Sequence, residues 1–438
     1  MFPQNRQRRL EVPEGDRAEP VPALTPADLR GRLREALVFA AQAVERFARD
    51  GYTDLDNPEN TISRGKLIAE TGALLFTAAP VALQDGIQFH VEKVARLLAP
   101  HARSAEVLVG VCLQPALALD HAAAHICLTQ LGYADPAFDR LLRKSMSAMG
   151  GDYPERFPHR VLEQRWLANL FGRGDTQAAP SSVRRRVRSA LDSPMNLFGA
   201  TTHDLYAFTH AVMYATEFGT RSNRLPRARA QILAEAERAL ARCLDEQDYD
   251  LVAELLLTWP LTRARWSPGA VFGFRVLTSV QDRAGFLPTP ATRLGTLKKL
   301  KGEQRKDYLL ATSYHATYMM GFLAACALRP GRAPPPTIRS DRAGTHADRQ
   351  LWSFLETSNL PHWQQESRRL ADSERHALLL FFFTIALWRK IKERDFQALY
   401  HLVHFGVSLG FHRQPAVRQA TELLERVVDA SRISTLWH

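Results

Sequence analysis

Thr201-Thr202-His203-Asp204-Leu205-Tyr206-Ala207-Phe208-Thr209-His210, running on through Tyr214 to Glu217-Phe218-Gly219, reads as one two-faced helix. Residues three, four or seven apart share a helix face. On that spacing Leu205, Phe208, Ala211, Val212 and Ala215 form an apolar side. His203, Tyr206, His210, Tyr214 and Glu217 form the opposite stripe. Thr201-x-x-Asp204 has the pattern of a capping box and marks the helix start. A solvated face normally carries Lys, Arg, Glu or Gln. Histidine and tyrosine there point instead to a shielded wet cavity or a buried hydrogen-bond network. The stripe is therefore expected to face inward.

The same 3.6-residue period runs outward in both directions, and strand alternation is almost absent. Thr25-Pro26 opens the first helix. Further helices are expected at about 60–79, 84–99, 103–118, 120–132, 136–149, 159–171, 181–192, 202–218, 226–246, 249–259, 269–283 and 308–328. Those near 181–192 and 226–246 are rich in charge, with a narrow apolar stripe. Those near 103–118, 202–218, 249–259 and 308–328 are apolar over much more of their surface, and a helix apolar all round is buried on every side. Buried helices alternating with amphipathic ones imply an all-α protein, an α/α toroid of helical hairpins with an inner and an outer ring. A stacked solenoid or an irregular bundle would also fit the pattern. Residues 1–24 read as a disordered basic tail, 25–329 as the ring domain and 330–346 as a Pro-rich polar linker. Residues 347–438 read as a helical extension that packs on the ring or completes it.

The chain has 438 residues and a formal net charge of +11. Much of the basic excess is arginine spread along helices that also carry Glu and Asp. The densest cluster, Arg184, Arg185, Arg186 and Arg188, reads as a solvated helix face. No zinc-finger spacing or RNA-binding aromatic signature accompanies it, so no specific nucleic-acid partner is expected. The four cysteines stand singly and are expected to be buried free thiols in a reducing compartment. The first residues lack the apolar core of a secretory signal, and no run reaches the ~20 apolar residues of a membrane span. A cytoplasmic protein is expected.

Four segments can carry chemistry. The first is the stripe above. The second is Asp250-Leu251-Val252-Ala253-Glu254. Here Asp250 is expected to open and cap a helix. Glu254 sits one turn on among aliphatics, where desolvation raises a carboxyl pKa towards the acid–base range unless an arginine such as Arg263 or Arg265 pairs with it. The third is Tyr314-His315 on another apolar helix. The fourth is Arg160 with Glu163 after Phe157-Pro158, suited to a salt bridge or to an anionic substrate group. Asp120, His121 and His125 are weaker candidates of the same kind. His401-x-x-His404 with His412 lacks a nearby carboxylate. No P-loop, dinucleotide glycine motif, Gly-x-Ser-x-Gly elbow or His-Glu-x-x-His is present, so nucleotide-driven chemistry and standard serine or zinc hydrolysis are disfavoured.

Gln281-Asp282-Arg283-Ala284-Gly285-Phe286 resembles the Gln…Gly-aromatic turn of the terpene cyclase-like α/α toroids, without the acidic motifs of their cyclase chemistry. Arg156-Phe-Pro-His-Arg160, Thr202 to His210, Glu217-Phe-Gly219, Asp250 to Leu257 and Tyr314-His315 together resemble a family of uncharacterised actinobacterial proteins that carry a domain-of-unknown-function label. The likeness covers roughly residues 150–325. Glu217 stands where that family's pattern has Asp. The resemblance implies a helical, toroidal protein associated with specialised metabolism, and it implies no reaction.

The expected function is an enzyme of natural-product metabolism that cyclises, isomerises, dehydrates or hydrolyses an apolar small-molecule or carrier-bound intermediate. His210 and Glu254 would carry protons, assisted by His315. His203, Tyr206, Tyr214, Glu217 and Arg160 would hold substrate. No cofactor is required by this reading. A second reading places a divalent metal between His210, Glu217, Glu254 and His315. A third is a non-catalytic binding or scaffold protein whose polar stripe is structural.

Overall fold

A computed structural model describes residues 25–54, 61–83, 86–148, 157–172, 188–221, 225–338, 347–355 and 361–435. The expected tail at 1–24, residues 339–346 of the linker, and Arg184 to Arg186 lie outside the described residues. Among those described, 75% are helical. The only strands among them are β1 (Tyr52–Thr53) and β2 (Thr61–Ile62), an antiparallel pair. The protein is all-α.

The helices in order are α1 (Pro26–Phe47), α2 (Arg64–Ala78), α3 (Ile87–Ala102), α4 (Ala105–Leu113), α5 (Ala118–His121), α6 (Ala123–Gln130) and α7 (Pro136–Ser147). Then come α8 (Pro158–Phe171), α9 (Thr202–Ala215), α10 (Arg229–Glu246), α11 (Tyr249–Leu256), α12 (Thr258–Leu261), α13 (Pro268–Ala284), α14 (Leu294–Lys299) and α15 (Gly302–Ala327). The C-terminal part holds α16 (Ala347–Leu355), α17 (His362–Ser367), α18 (Asp372–Ala377), α19 (Leu379–Glu393), α20 (Phe396–Ser408) and α21 (Pro415–Thr435). No helix among the described residues is long and apolar enough to cross a membrane.

Capping chemistry starts the helices where the sequence places them. Thr25 and Asp28 close a capping box on α1, and Thr201 and Asp204 close one on α9. The cap of α11 differs from expectation: Asp248, not Asp250, accepts from the Leu251 amide at 3.2 Å. That shift leaves Asp250 inside the helix, with its carboxylate available for another partner.

Packing follows apolarity. All eight residues of α11 are buried, and α15 is buried along nearly all of its length after Tyr308. Six helices touch in a closed circuit: α2 on α6, α6 on α8, α8 on α9, α9 on α11, α11 on α15, and α15 back on α2. Helices α1 and α3 cover α2, and α1 also lies along α15, while α10 and α13 cover α11. The α2–α6 contact depends on Gly72, where a β-carbon would come 2.8 Å from the Ala124 Cα. At the end of α13, Gln281 and Asp282 accept from the Arg32 guanidinium at 2.6 and 2.9 Å, so that turn ties α13 to α1.

A second tie gathers helix ends. Arg329 donates to the carbonyls of Phe218 (2.6 Å) and Thr77 (3.3 Å). Arg332 donates to those of Gly219 (3.0 Å) and Pro260 (3.2 Å). Those carbonyls belong to the last turn of α2, to α12 and to the turn that follows α9. Glu217, Phe218 and Gly219 all take positive φ, at 43°, 52° and 70°. A β-carbon at Gly219 would sit 2.6 Å from an Arg332 nitrogen, so only glycine fits there.

Further expectations fail. The 103–118 segment is not buried all round: α4 stops at Leu113 before Pro115, Leu113 is 76% exposed, and Cys112 is exposed rather than buried. Residues 188–192 of the 181–192 segment form turns, not helix. The narrow-striped α10 is buried over most of its second half, because α19 packs on it opposite α11 and α13. Its charge is neutralised there. Asp245 accepts from Arg389 at 2.8 Å and from the Trp363 indole at 3.1 Å, joining the 347–438 segment to α10.

Candidate functional site

The packed faces of α2, α9, α11 and α15 bring five titratable side chains together. On α11, Asp250 and Glu254 are one turn apart and share a face. His315 on α15 lies against both. Its Nδ1 donates to Asp250 Oδ1 at 2.7 Å, and its Nε2 lies 3.8 Å from Glu254 Oε1 and 3.5 Å from Glu70 Oε1 on α2. On α9, His210 Nε2 lies 3.7 Å from the same Glu254 Oε1. Tyr206 donates to Asp250 Oδ2 at 2.8 Å, and Tyr314 donates to Glu70 Oε2 at 2.5 Å. The Thr209 hydroxyl donates to Glu254 Oε2.

Within this cluster one buried atom has no hydrogen-bond partner. Glu254 Oε1 is buried and accepts no hydrogen bond among the described residues. Its distances of 3.7 and 3.8 Å to the two imidazoles exceed hydrogen-bond length. The side chain of Glu254 is 0% exposed, that of Asp250 9%, and that of His315 15%, while His210 keeps 29%. The cluster is therefore deepest at Glu254 and reaches outward through His210.

Mutual charge sets the protonation states. Burial works against the His315 cation, but the carboxylates of Asp250 and Glu70 outweigh it and raise its pKa well above the ordinary value. Burial likewise opposes ionisation of Glu70; His315, Lys66 and the Tyr314 hydrogen bond outweigh it and hold the carboxyl at about 2. Asp250 is also lowered, burial being overcome by its pairing with His315 and Tyr206. Tyr206 is raised by burial and by the neighbouring carboxylates of Asp250 and Glu254. His159 on α8 stacks edge-on to His210 at 5.4 Å, and burial, then His210 and Arg160, lower its pKa to about 4.

The structure brings His210, Glu254, His315 and Tyr206 together, and sets the other expected residues around or away from them. His203 is exposed, in the first turn of α9. Tyr214 lies beyond His210 against Trp166. Glu217 is engaged elsewhere, by Asn169 at 3.4 Å and Arg221 at 3.2 Å, so it does not supply the second carboxylate of the expected metal set. Arg160 donates to Glu163 at 2.7 Å and is 59% exposed. Among the described residues no arginine pairs with Glu254, which instead lies near His210 and His315. His125 is buried between Arg103 and Asp139. Sequence reasoning missed Glu70, Thr209 and the role of Asp250. The available signals were Lys66-x-x-x-Glu70 inside an apolar helix and the Asp250-x-x-x-Glu254 spacing. Among the described residues, Asp250, Glu254 and His315 form a group whose ligand-type atoms lie within 4.8 Å of one another.

A family model described as a domain of unknown function, DUF6895, matches residues 33–325. No curated protein and no solved structure matches the chain.

Proposed function

The chain belongs to the DUF6895 family, and since that description names no activity, we propose that it is an acid–base enzyme centred on His210 and Glu254. In this reading His210, the outermost member, exchanges a proton with substrate, and Glu254 is its buried partner. Asp250, Glu70 and Tyr206 hold His315 as a fixed cation that positions Glu254 electrostatically. The observation that carries the reading is the unpartnered Glu254 Oε1, set between two imidazoles at 3.7 and 3.8 Å. A buried acceptor without a donor costs about 1–3 kcal/mol, so its retention favours a role in binding or reaction over a structural one.

The finer expectations belong to the same proposal. The closed circuit of α2, α6, α8, α9, α11 and α15 is read as the inner ring of an α/α toroid. The substrate is read as an apolar small-molecule or carrier-bound intermediate of specialised metabolism, handled in the cytoplasm by cyclisation, isomerisation, dehydration or hydrolysis.

The test needs no substrate. Glu254→Gln removes a charge that lacks one partner, so the variant should melt at or above the parent. In histidine NMR spectra of chelator-treated protein, the His210 titration should move when Glu254 is replaced, because the carboxyl lies 3.7 Å from His210 Nε2. A large fall in melting temperature with an unmoved His210 titration would make the cluster structural. With a substrate in hand, Glu254→Gln and His210→Gln should each abolish turnover while the chain stays folded.

A further inference from the structure

We propose that the gap bounded by Asp250, Glu254 and His315 is a binding site for one first-row divalent cation, of the Zn²⁺ or Mn²⁺ type. The inference concerns the site of the proposed reaction and rests on that site being the functional one. It changes three roles: Glu254 and Asp250 then hold the ion, His315 gives up its Nδ1 proton to become a neutral ligand, and His210 remains the base beside it.

Four observations lead there. The donors come from two packed helices. Asp250 and Glu254 project one turn apart from α11, and His315 faces them from α15, with all three ligand atoms within 4.8 Å of one another. Two ligands one turn apart on a single helix is a spacing that metal sites use, since both reach the same point. Next, Glu254 Oε1 is buried and unpartnered, on a side chain with no exposure, and it faces the His315 ring. A cation would supply what that oxygen lacks. The separation of 3.8 Å between Glu254 Oε1 and His315 Nε2 is too long for a hydrogen bond, and Asp250 Oδ1 lies against the other ring nitrogen, Nδ1, at 2.7 Å, so an ion shared by all three takes the place of the Nδ1 hydrogen.

The third observation is charge. Asp250, Glu254 and Glu70 place three carboxylates around one imidazole, and the nearest ammonium, Lys66, lies 3.7 Å from Glu70 on the outer side. Buried carboxylates need compensation, and a divalent ion provides it. Last, the supporting contacts are those a ligand carboxylate requires. Thr209 bonds the far oxygen of Glu254, and Tyr206 bonds the far oxygen of Asp250. One imidazole with two carboxylates suits Zn²⁺ or Mn²⁺ better than Ca²⁺ or Mg²⁺, which favour oxygen-only sets. His210, 3.7 Å from Glu254 Oε1 and partly exposed, stands where it can take a proton from a water or hydroxyl on the ion.

The experiment uses the full chain, treated with chelator, dialysed, and titrated with Zn²⁺, Mn²⁺, Mg²⁺ and Ca²⁺ separately by calorimetry. The metal content of the untreated protein is measured in parallel. The expected result is one Zn²⁺ or Mn²⁺ per chain, a rise in melting temperature on binding, and affinity reduced at least about tenfold in Glu254→Gln, Asp250→Asn and His315→Gln. Circular dichroism of the ion-free variants confirms that each is folded. His210→Gln should still bind the ion. Absence of stoichiometric binding by the parent, affinity unchanged in Glu254→Gln, or preferential binding of Mg²⁺ or Ca²⁺ would each overturn the proposal. Failure of the ion leaves the acid–base reading intact if replacing Glu254 still moves the His210 titration. A bound ion with an indifferent His210 supports the ion and sinks the proton exchange.

Discussion

One buried charged cluster lies against the middle of α9 and another just past its C-terminal end, and they treat charge differently. At the clamp, Arg329 and Arg332 meet four main-chain carbonyls. At the acidic cluster, three carboxylates meet one imidazole, and a carboxylate oxygen is left without a donor. The clamp spends backbone strain at Glu217 and Phe218 to bring carbonyls to the terminal guanidinium nitrogens, leaving Arg329 Nε as its one buried donor without a partner among the described residues. The acidic cluster leaves a buried charge incompletely satisfied. The first pattern is that of architecture, because nothing at those four carbonyls is left for a ligand. The second is the one proposed as a site, because a carboxylate oxygen with no exposure is left without a donor.

The largest effect should come from the clamp. Arg329→Met keeps the length of the side chain but strands the Phe218 and Thr77 carbonyls in the interior. The expected loss is about 3 kcal/mol of unfolding free energy, read from urea denaturation. A loss below about 1 kcal/mol would show that the clamp is not architectural and would break the comparison.

A middle effect is expected where the acidic cluster is satisfied. Thr209→Val preserves shape and removes the donor to Glu254 Oε2. The cost should be about 2 kcal/mol, the penalty of a buried acceptor losing its partner. Glu254→Gln, which acts on the unsatisfied oxygen of the same side chain, should cost less than Thr209→Val. The reverse order in thermal melts would mean that Oε1 has a partner in solution.

The smallest effect is a pH dependence confined to the outer edge of the acidic cluster. His159 is held at about 4, by burial first and then by His210 and Arg160. Its folded pKa is depressed, so its contribution is fully present above the unfolded value of ~6.5 and is lost as pH falls towards 4. Parent and Arg329→Met should therefore lose stability in parallel between those limits, while His159→Gln shows a shallower slope. An unchanged slope in His159→Gln would assign the acid sensitivity to another group.

Legibility in the sequence followed the range of the interactions. The helices and the capping boxes of α1 and α9 were readable because each depends on residues within one turn. His210, Glu254 and His315 were readable because each is a polar group on a helix otherwise apolar. Glu70 was not, since Lys66 one turn earlier gives it the look of an ordinary surface pair. Asp250 was misread as a cap because Asp248, two residues earlier, competes for the same helix start. Glu217 was read onto the stripe by continuing the helical period, but the chain leaves the helix at Ala215 and turns through positive φ. The burial of α10 was invisible because α19, more than a hundred residues away, supplies the cover and the charge for Asp245.

The sequence by itself determined that this protein is helical, where most helices begin, and which side chains on α9, α11 and α15 are too polar for their surroundings. Those are properties of periodicity and composition, carried by neighbours in the chain. Tertiary structure alone decided which of those side chains meet. Glu70 and His315 are 245 residues apart, and His210 and Glu254 are 44 apart. Their encounter depends on which helix faces turn towards one another, which is set by close contacts such as Gly72 on Ala124 and by the carbonyls that Arg329 and Arg332 gather. A helix fixes the direction of a side chain relative to its own axis, and only packing fixes that axis relative to the next.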